Sequence, residues 1–228
     1  MSNYFSFNGI SCRYAGVVLK EPLGKMVPAQ RGEEITVAGR DGRLWSAEEA
    51  ADSMDKTLQI WVMPNADIDY VRNWLRGEGR LKLEEHSPYS YDARISGHIA
   101  YTPLPGNGGW SANVPVVLHP YATLDKEKVY VVNSGDVIKS TAPVRTHVRL
   151  TLHGSGDALI QIGSRIITLA GFADGTVIDG VSREAYAGSV LVSGAMEGEW
   201  PYLDPGETIV RYSGDVNSLE IGVHWPVL

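Results

Sequence analysis

The sequence predicts a mainly β protein of two domains, 1–128 and 129–228. Period-two alternation of apolar residues recurs in both halves, and only one stretch, NADIDYVRNWLRG, shows sustained helical spacing. Beyond Lys128, short strand-like segments follow one another at roughly 8–12-residue spacing between turn residues, the pattern of a β-sandwich. The 228 residues, 43% of them hydrophobic, suffice for real cores.

From Phe5 to Leu19, short apolar pieces broken by Asn8-Gly9 and Gly16 predict two short strands and a turn. LKEPLGKMVPAQRGEE interrupts them with two prolines and two glycines, a long loop or an irregular hairpin arm. Ile35 and Val37 resume alternation, Gly39-Arg40-Asp41-Gly42 intervenes, and Leu44-Trp45 follows. AEEAADSM has the composition to start a helix, before the strand TLQIWVM with Leu58, Ile60 and Val62 on one face. The helix at about 66–76 puts Ile68, Val71, Trp74 and Leu75 on one side, with Asn65 as its expected cap and Gly77 as its stop. GRLKLEE then reads as a strand with Leu81 and Leu83 inward. Residues 91–119 read as a long hairpin around the tip TPLPGNGGW.

In the second half, THVRLTLHG places Val148, Leu150 and Leu152 on one face and His147, Arg149, Thr151 and His153 on the other. ALIQIGSRIITL predicts a hairpin with a primed turn at Gly163-Ser164. TVIDG, SREAYAG, ETIVRYSG and LEIGVHW read as further separate strands, with Asp174 and Asp179 as turn residues.

Searching these elements for chemistry excludes more than it finds. The single cysteine, Cys12, rules out an internal disulfide or a Cys-based zinc site and reads as a buried small hydrophobe. His147 and His153 lie six residues apart on a strand, about 20 Å at ~3.3 Å per residue, too far to share an ion. HGSGD at 153–157 gathers His, Ser and Asp in what reads as one tight turn, where side chains diverge and no triad forms. The acids and histidine of Glu84-Glu85-His86 read as a charged strand end. No catalytic residue, metal site or cofactor is predicted. No apolar run reaches the ~20 residues of a membrane helix, and the start MSNYFSFNGISCRY lacks the pattern of a secretory leader. A net charge of −7 lacks the basic footprint of a sequence-reading nucleic-acid binder; Lys and Arg number 14 against 16 acids up to residue 128, and 6 against 11 after it. Trp200, Tyr202 and Tyr212 are candidate sugar-stacking rings, with core packing as the simpler use of the same residues.

Taken in order, FSFNGIS, VAGRDGRL, TLQIWVMPNADIDYVRNWLRGEGRLKL, WSANVPVVLHPY, VIDGVSREAY, WPYLDPGETIVRYSG and LEIGVHW resemble the distal tail proteins of long-tailed siphophages over nearly the whole chain. The sequence departs from that family at Thr208, where an Asn is commoner, and in the unremarkable loop Lys20 to Glu34. The resemblance implies an N-terminal tail-tube-like β-domain with one α-helix and a C-terminal galectin-like or carbohydrate-module-like β-sandwich. It also implies a structural, non-enzymatic role: a homo-hexameric ring joining the tail tube protein to the tail-associated tip protein, a hub for receptor-binding parts, and a passage for DNA. The expected location is the virion tail tip, after synthesis in the host cytoplasm, from an active phage or a prophage. The free protein is expected as monomer or dimer until a partner templates it. The alternative function is a glycan-binding module for cell-wall polysaccharide.

Within that reading, Gly39-Arg40-Asp41-Gly42 is a turn and not a phosphate cradle, because no helix N-terminus follows it. Gly39, Arg40, Asp41 and Gly42, with Lys25 and Arg31 in the arm and Trp110 in the hairpin, are the candidate turn and subunit-interface residues.

Overall fold

The computed structural model describes residues 4–39 and 41–227, which form two compact units meeting between Asp125 and Lys126. Strands dominate both, and α1 (Ile68–Trp74) is the one α-helix among the described residues.

In the first unit the strands are β1 (Phe5–Phe7), β2 (Ile10–Ser11), β3 (Val17–Leu19), β4 (Gln30–Thr36), β5 (Arg43–Ala51), β6 (Met54–Val62), β7 (Glu78–Leu83), β8 (Tyr89–Ile95), β9 (Tyr101–Pro103), β10 (Trp110–Leu118) and β11 (Ala122–Leu124). A sheet runs in the order β2-β1-β7-β8-β10-β6-β3, with β9 on the start of β10 and β11 on β8. Alternation does what the sequence requires of it: Leu58, Ile60, Val62, Leu81 and Leu83 are all buried, each stabilising the unit by about 1.5–3 kcal/mol. The helix is fastened over β1, where Trp74 stacks on Phe5 at 5.6 Å and its indole N–H donates to the Phe7 carbonyl at 2.9 Å.

The helix is shorter than expected and differently capped. Asp67, not Asn65, is the N-cap; its carboxylate accepts from the Asp69 and Tyr70 amides at 3.0 and 3.1 Å. Leu75 caps the C-terminus, and Gly77, at φ 75°, lies two residues farther on. The expected helix start AEEAADSM is instead the end of β5 up to Ala51, a two-residue link at Asp52-Ser53, and the first residue of β6. Ala and Glu favour helix by propensity, but pairing along β4 overrides it.

The second unit contains β12 (Lys128–Val132), β13 (Val137–Ser140), β14 (Thr146–His147), β15 (Arg149–Ile162), β16 (Arg165–Phe172), β17 (Thr176–Asp179), β18 (Glu184–Ala187), β19 (Val190–Leu191), β20 (Met196–Gly198), β21 (Tyr202–Leu203), β22 (Gly206–Val223) and β23 (Pro226–Val227). ETIVRYSG and LEIGVHW are therefore one strand of 18 residues and not two, and HGSGD is no tight turn but the middle of β15. Glycines explain both differences. Arg149–His153 pairs with Ser218–Gly222 and with β17, whereas Ala158–Ile162 pairs with Val210–Gly214 and with β16. Between these halves the register shifts at Gly154, Gly156 and Gly214, whose φ values of 133°, 125° and 90° a side chain would resist.

The two long strands thus bend and serve both layers of the sandwich. Leu150, Leu152, Leu219 and Ile221 from one half and Ile160, Ile162, Ile167 and Val210 from the other form one core. Gly163 alone takes positive φ in the Gly163-Ser164 turn, the requirement of the II′ type.

Candidate functional site

The first unit carries one feature that no core explains. β4 and β5 pair only with each other among the described residues, making a two-stranded ribbon of residues 30–51. Its large apolar side chains face solvent: Ile35, Val37, Leu44 and Trp45 are 43%, 40%, 37% and 55% exposed. An isolated two-stranded ribbon is marginal in water by itself, and this one leaves its apolar side chains open.

Register sorts its side chains onto two faces. Ile35 lies opposite Leu44, and Val37 follows two residues on, giving an aliphatic face. The other face carries Trp45 opposite Glu34, with Glu34 ion-paired to Arg43. There the indole lies over Gly32, where a Cβ would stand 2.6 Å from the ring.

The arm starts later than the sequence suggests. Residues 20–29 lie against their own unit: the Lys20 amide donates to Gln59 and its Nζ to Ser111, Met26 is buried, and the Gly24 amide donates to Glu85. The ribbon from Gln30 to Ala51 is the part that projects. Its root is closed by the Asp52 amide on the Ala29 carbonyl and by Arg31 on Asp52 at 2.7 Å, the carboxylate that pushes the Arg31 pKa up.

The candidate residues fall around this ribbon. Gly39 and Gly42 have φ of 80° and 79°, and with exposed Asp41 they form its tip. Arg40 lies outside the described residues. Lys25 is exposed in the segment leading to the root. Trp110 is elsewhere, half-buried at the start of β10 and paired with Val62 and Pro103. β10 lies between β6 and β8, and the hairpin's turn at 104–109 is tied back to β6, where the Trp61 indole N–H donates to the Gly108 carbonyl at 2.6 Å.

Among the described ring contacts none joins two of the three rings proposed for sugar stacking. Arg165 and Arg145 hold their guanidinium carbons 3.3 and 4.1 Å from the Tyr202 ring centroid. Two groups that close would collide on one face, so they cover both. Arg165 is buried, bonded to the Ile162 and Tyr202 carbonyls and to Asp204. Tyr212 donates its hydroxyl to the Val132 carbonyl, and both Tyr212 and Trp200 pack on the core.

His147 sits edge-on to Tyr202, and its pKa is depressed by burial, then by Arg183 and Arg145, against a bond to Pro201. His153 faces Asp174 at 3.5 Å and Glu220 at 3.4 Å, bracing two strands. Among the described residues no group of three or more His, Cys, Asp or Glu is placed to hold a metal.

No protein-family model and no curated protein matches the sequence. A solved structure does match the fold. The SPP1 Dit protein (gp 19.1), described as a paradigm of the hub adsorption apparatus in Gram-positive infecting phages, superposes with a TM-score of 0.80 over 99% of both chains. The chain has the fold of SPP1 Dit. Sequence identity to Dit is 15%, so the likeness is one of architecture, and it spans both units. The phage hub is also the kind of protein that the ordered motifs resemble.

Proposed function

We propose that this chain is a structural component of a long-tailed phage's tail tip. Its first unit closes into a homo-hexameric ring that joins the tail tube protein to the tip protein and lets DNA pass. Its second unit is offered to the host-recognition apparatus. The observation that carries the reading is the end-to-end likeness to SPP1 Dit, a hub adsorption protein, across 99% of both chains. The exposed ribbon supports it, because a closed ring of head-to-tail contacts needs a projecting surface on each copy. A net charge of −7 is compatible with a conduit that repels the phosphate backbone passing through it.

Electron microscopy of the purified chain, alone and mixed with the phage's own tube protein, tests this. Rings with six-fold symmetry are expected at least in the mixture, and labelled antibody should decorate the distal end of intact tails. A chain that stays monomeric with every tail component yet holds host wall polysaccharide tightly would overturn the proposal in favour of a glycan-binding module.

A further inference from the structure

We infer that the second unit carries an anion site, in which Arg145, Arg183 and His147 receive a phosphate group. The site belongs to that unit alone and stands whether or not the chain forms a ring. Three short segments are tied together there. His147 in β14 pairs with Tyr202 in β21. The Val148 amide donates to the Pro201 carbonyl at 3.2 Å, and the Gly180 amide to the Val148 carbonyl at 3.0 Å. This junction leaves no room for a side chain at Gly180, where a Cβ would stand 2.2 Å from the Pro201 oxygen. The turn after Gly180 is shaped by the Asp179 carboxylate, which accepts from the Val181 and Ser182 amides at 2.7 and 3.2 Å. It ends on Arg183 at φ 57°, a left-handed value that a long side chain rarely takes.

Charge at the junction is one-sided. After residue 128 the chain has 6 Lys and Arg against 11 acids, yet three of those six, Arg145, Arg165 and Arg183, gather around His147 and Tyr202. Arg165 is the fixed support: its side chain is 7% exposed, and it donates to the Ile162 and Tyr202 carbonyls and to Asp204. Asp204 also accepts from Arg145, but only from its Nε, at 3.3 Å, which leaves both Nη groups of Arg145 for a ligand. Among the described residues Arg183 makes no hydrogen bond and no ion pair. Both of these guanidinium groups act on His147: burial, then Arg183, and also Arg145 hold its pKa down, against its bond to the Pro201 carbonyl. Cations set around one imidazole repel one another and its proton, and a bound anion relieves that repulsion.

The donors select the ligand. Guanidinium forks match pairs of phosphate oxygens, and the imidazole adds a further donor once it takes a proton. Two forks and a ring arriving from separate segments suit a tetrahedral group, whose oxygens point in different directions, better than a planar carboxylate.

Isothermal titration calorimetry of the full chain with inorganic phosphate, glycerol phosphate and a glycerol phosphodiester tests the site. Saturable binding at about millimolar concentration or below is expected. The His147 ring, followed by NMR, should show its pKa rise on saturation. Arg183→Gln should weaken binding about tenfold or more while leaving the melting temperature unchanged, and Arg183→Lys should recover part of the loss. Arg211→Gln, which removes a charge of the same unit from β22, should change affinity by no more than about twofold. Tighter binding of the glycerol esters than of inorganic phosphate identifies the ligand as a phosphate ester, and equal or weaker binding identifies it as free phosphate. Absence of saturable binding, an unmoved His147, or equal losses in Arg183→Gln and Arg211→Gln overturns the site and leaves the ring reading untouched.

Discussion

Gly214→Ala should destabilise the second unit far more than Gly206→Ala, although both glycines lie in β22 with nearly the same φ, 90° and 91°. A side chain at either position carries the strain of positive φ, of order 1–3 kcal/mol. Room separates them. A Cβ on Gly214 would stand 2.3 Å from the Asp157 carbonyl oxygen, whereas one on Gly206 meets nothing within 4 Å. That carbonyl cannot step aside without opening the β15–β22 ladder, where Ala158 pairs with Gly214. Opening it forfeits one or two backbone hydrogen bonds at about 1 kcal/mol each, and overpacking the corner adds about 1–3 kcal/mol. The excess over Gly206→Ala is then about 2–5 kcal/mol, and for a unit of about 100 residues that is a fall of roughly 10–30 °C beyond the control. Differential scanning calorimetry of the full chain measures it directly. If the two variants melt within about 3 °C of each other, the close approach at Gly214 does not hold the bend, and the account of one sheet folded into two layers is wrong.

Asp67→Ala should cost about 1 kcal/mol in urea unfolding of the first unit, since two helix amides lose their acceptor; a loss below a few tenths would refute the cap. Gly32→Ala would drive a Cβ against the Trp45 ring and the Ser46 carbonyl at 2.6 and 2.5 Å. It should impair ring assembly seen by electron microscopy while the calorimetric melting of both units stays put. His147 titrates below its ordinary value when folded, so the unfolded chain takes its proton first as pH falls. Stability present above the unfolded value of about 6.5 is therefore lost between that pH and the lower folded value. The urea midpoint of the second unit should drop between pH 7.5 and 5.5, and His147→Gln should flatten that drop; an equal drop in the variant contradicts the assignment.

Most of the strand framework was legible because each half-buried strand writes its own alternation, as at Leu58-Ile60-Val62 and Val148-Leu150-Leu152. What the text hid was continuity and competition. Gly154, Gly156 and Gly214 look like turn residues in a one-dimensional reading, yet each is a bulge inside a strand that carries on. A glycine that ends a strand and one that bends it have the same letter, and only the partner's register tells them apart. Asn65 and Asp67 were equally eligible caps by residue type; which one bonds the free amides depends on where the chain from β6 turns.

The ribbon shows the same limit from the side of function. Ile35, Val37, Leu44 and Trp45 have the spacing of ordinary core-facing strand residues, and nothing in their order says that they face solvent in this structure. The sequence marked the excursion through its prolines and glycines, but those residues lie mainly in the segment that packs against its own unit, ahead of the part that projects. Exposure is what separates a strand that fills its own sheet's core from one that stands apart from it. In this chain that distinction selects Gln30–Ala51 over the Pro/Gly-rich segment before it as the surface to mutate first.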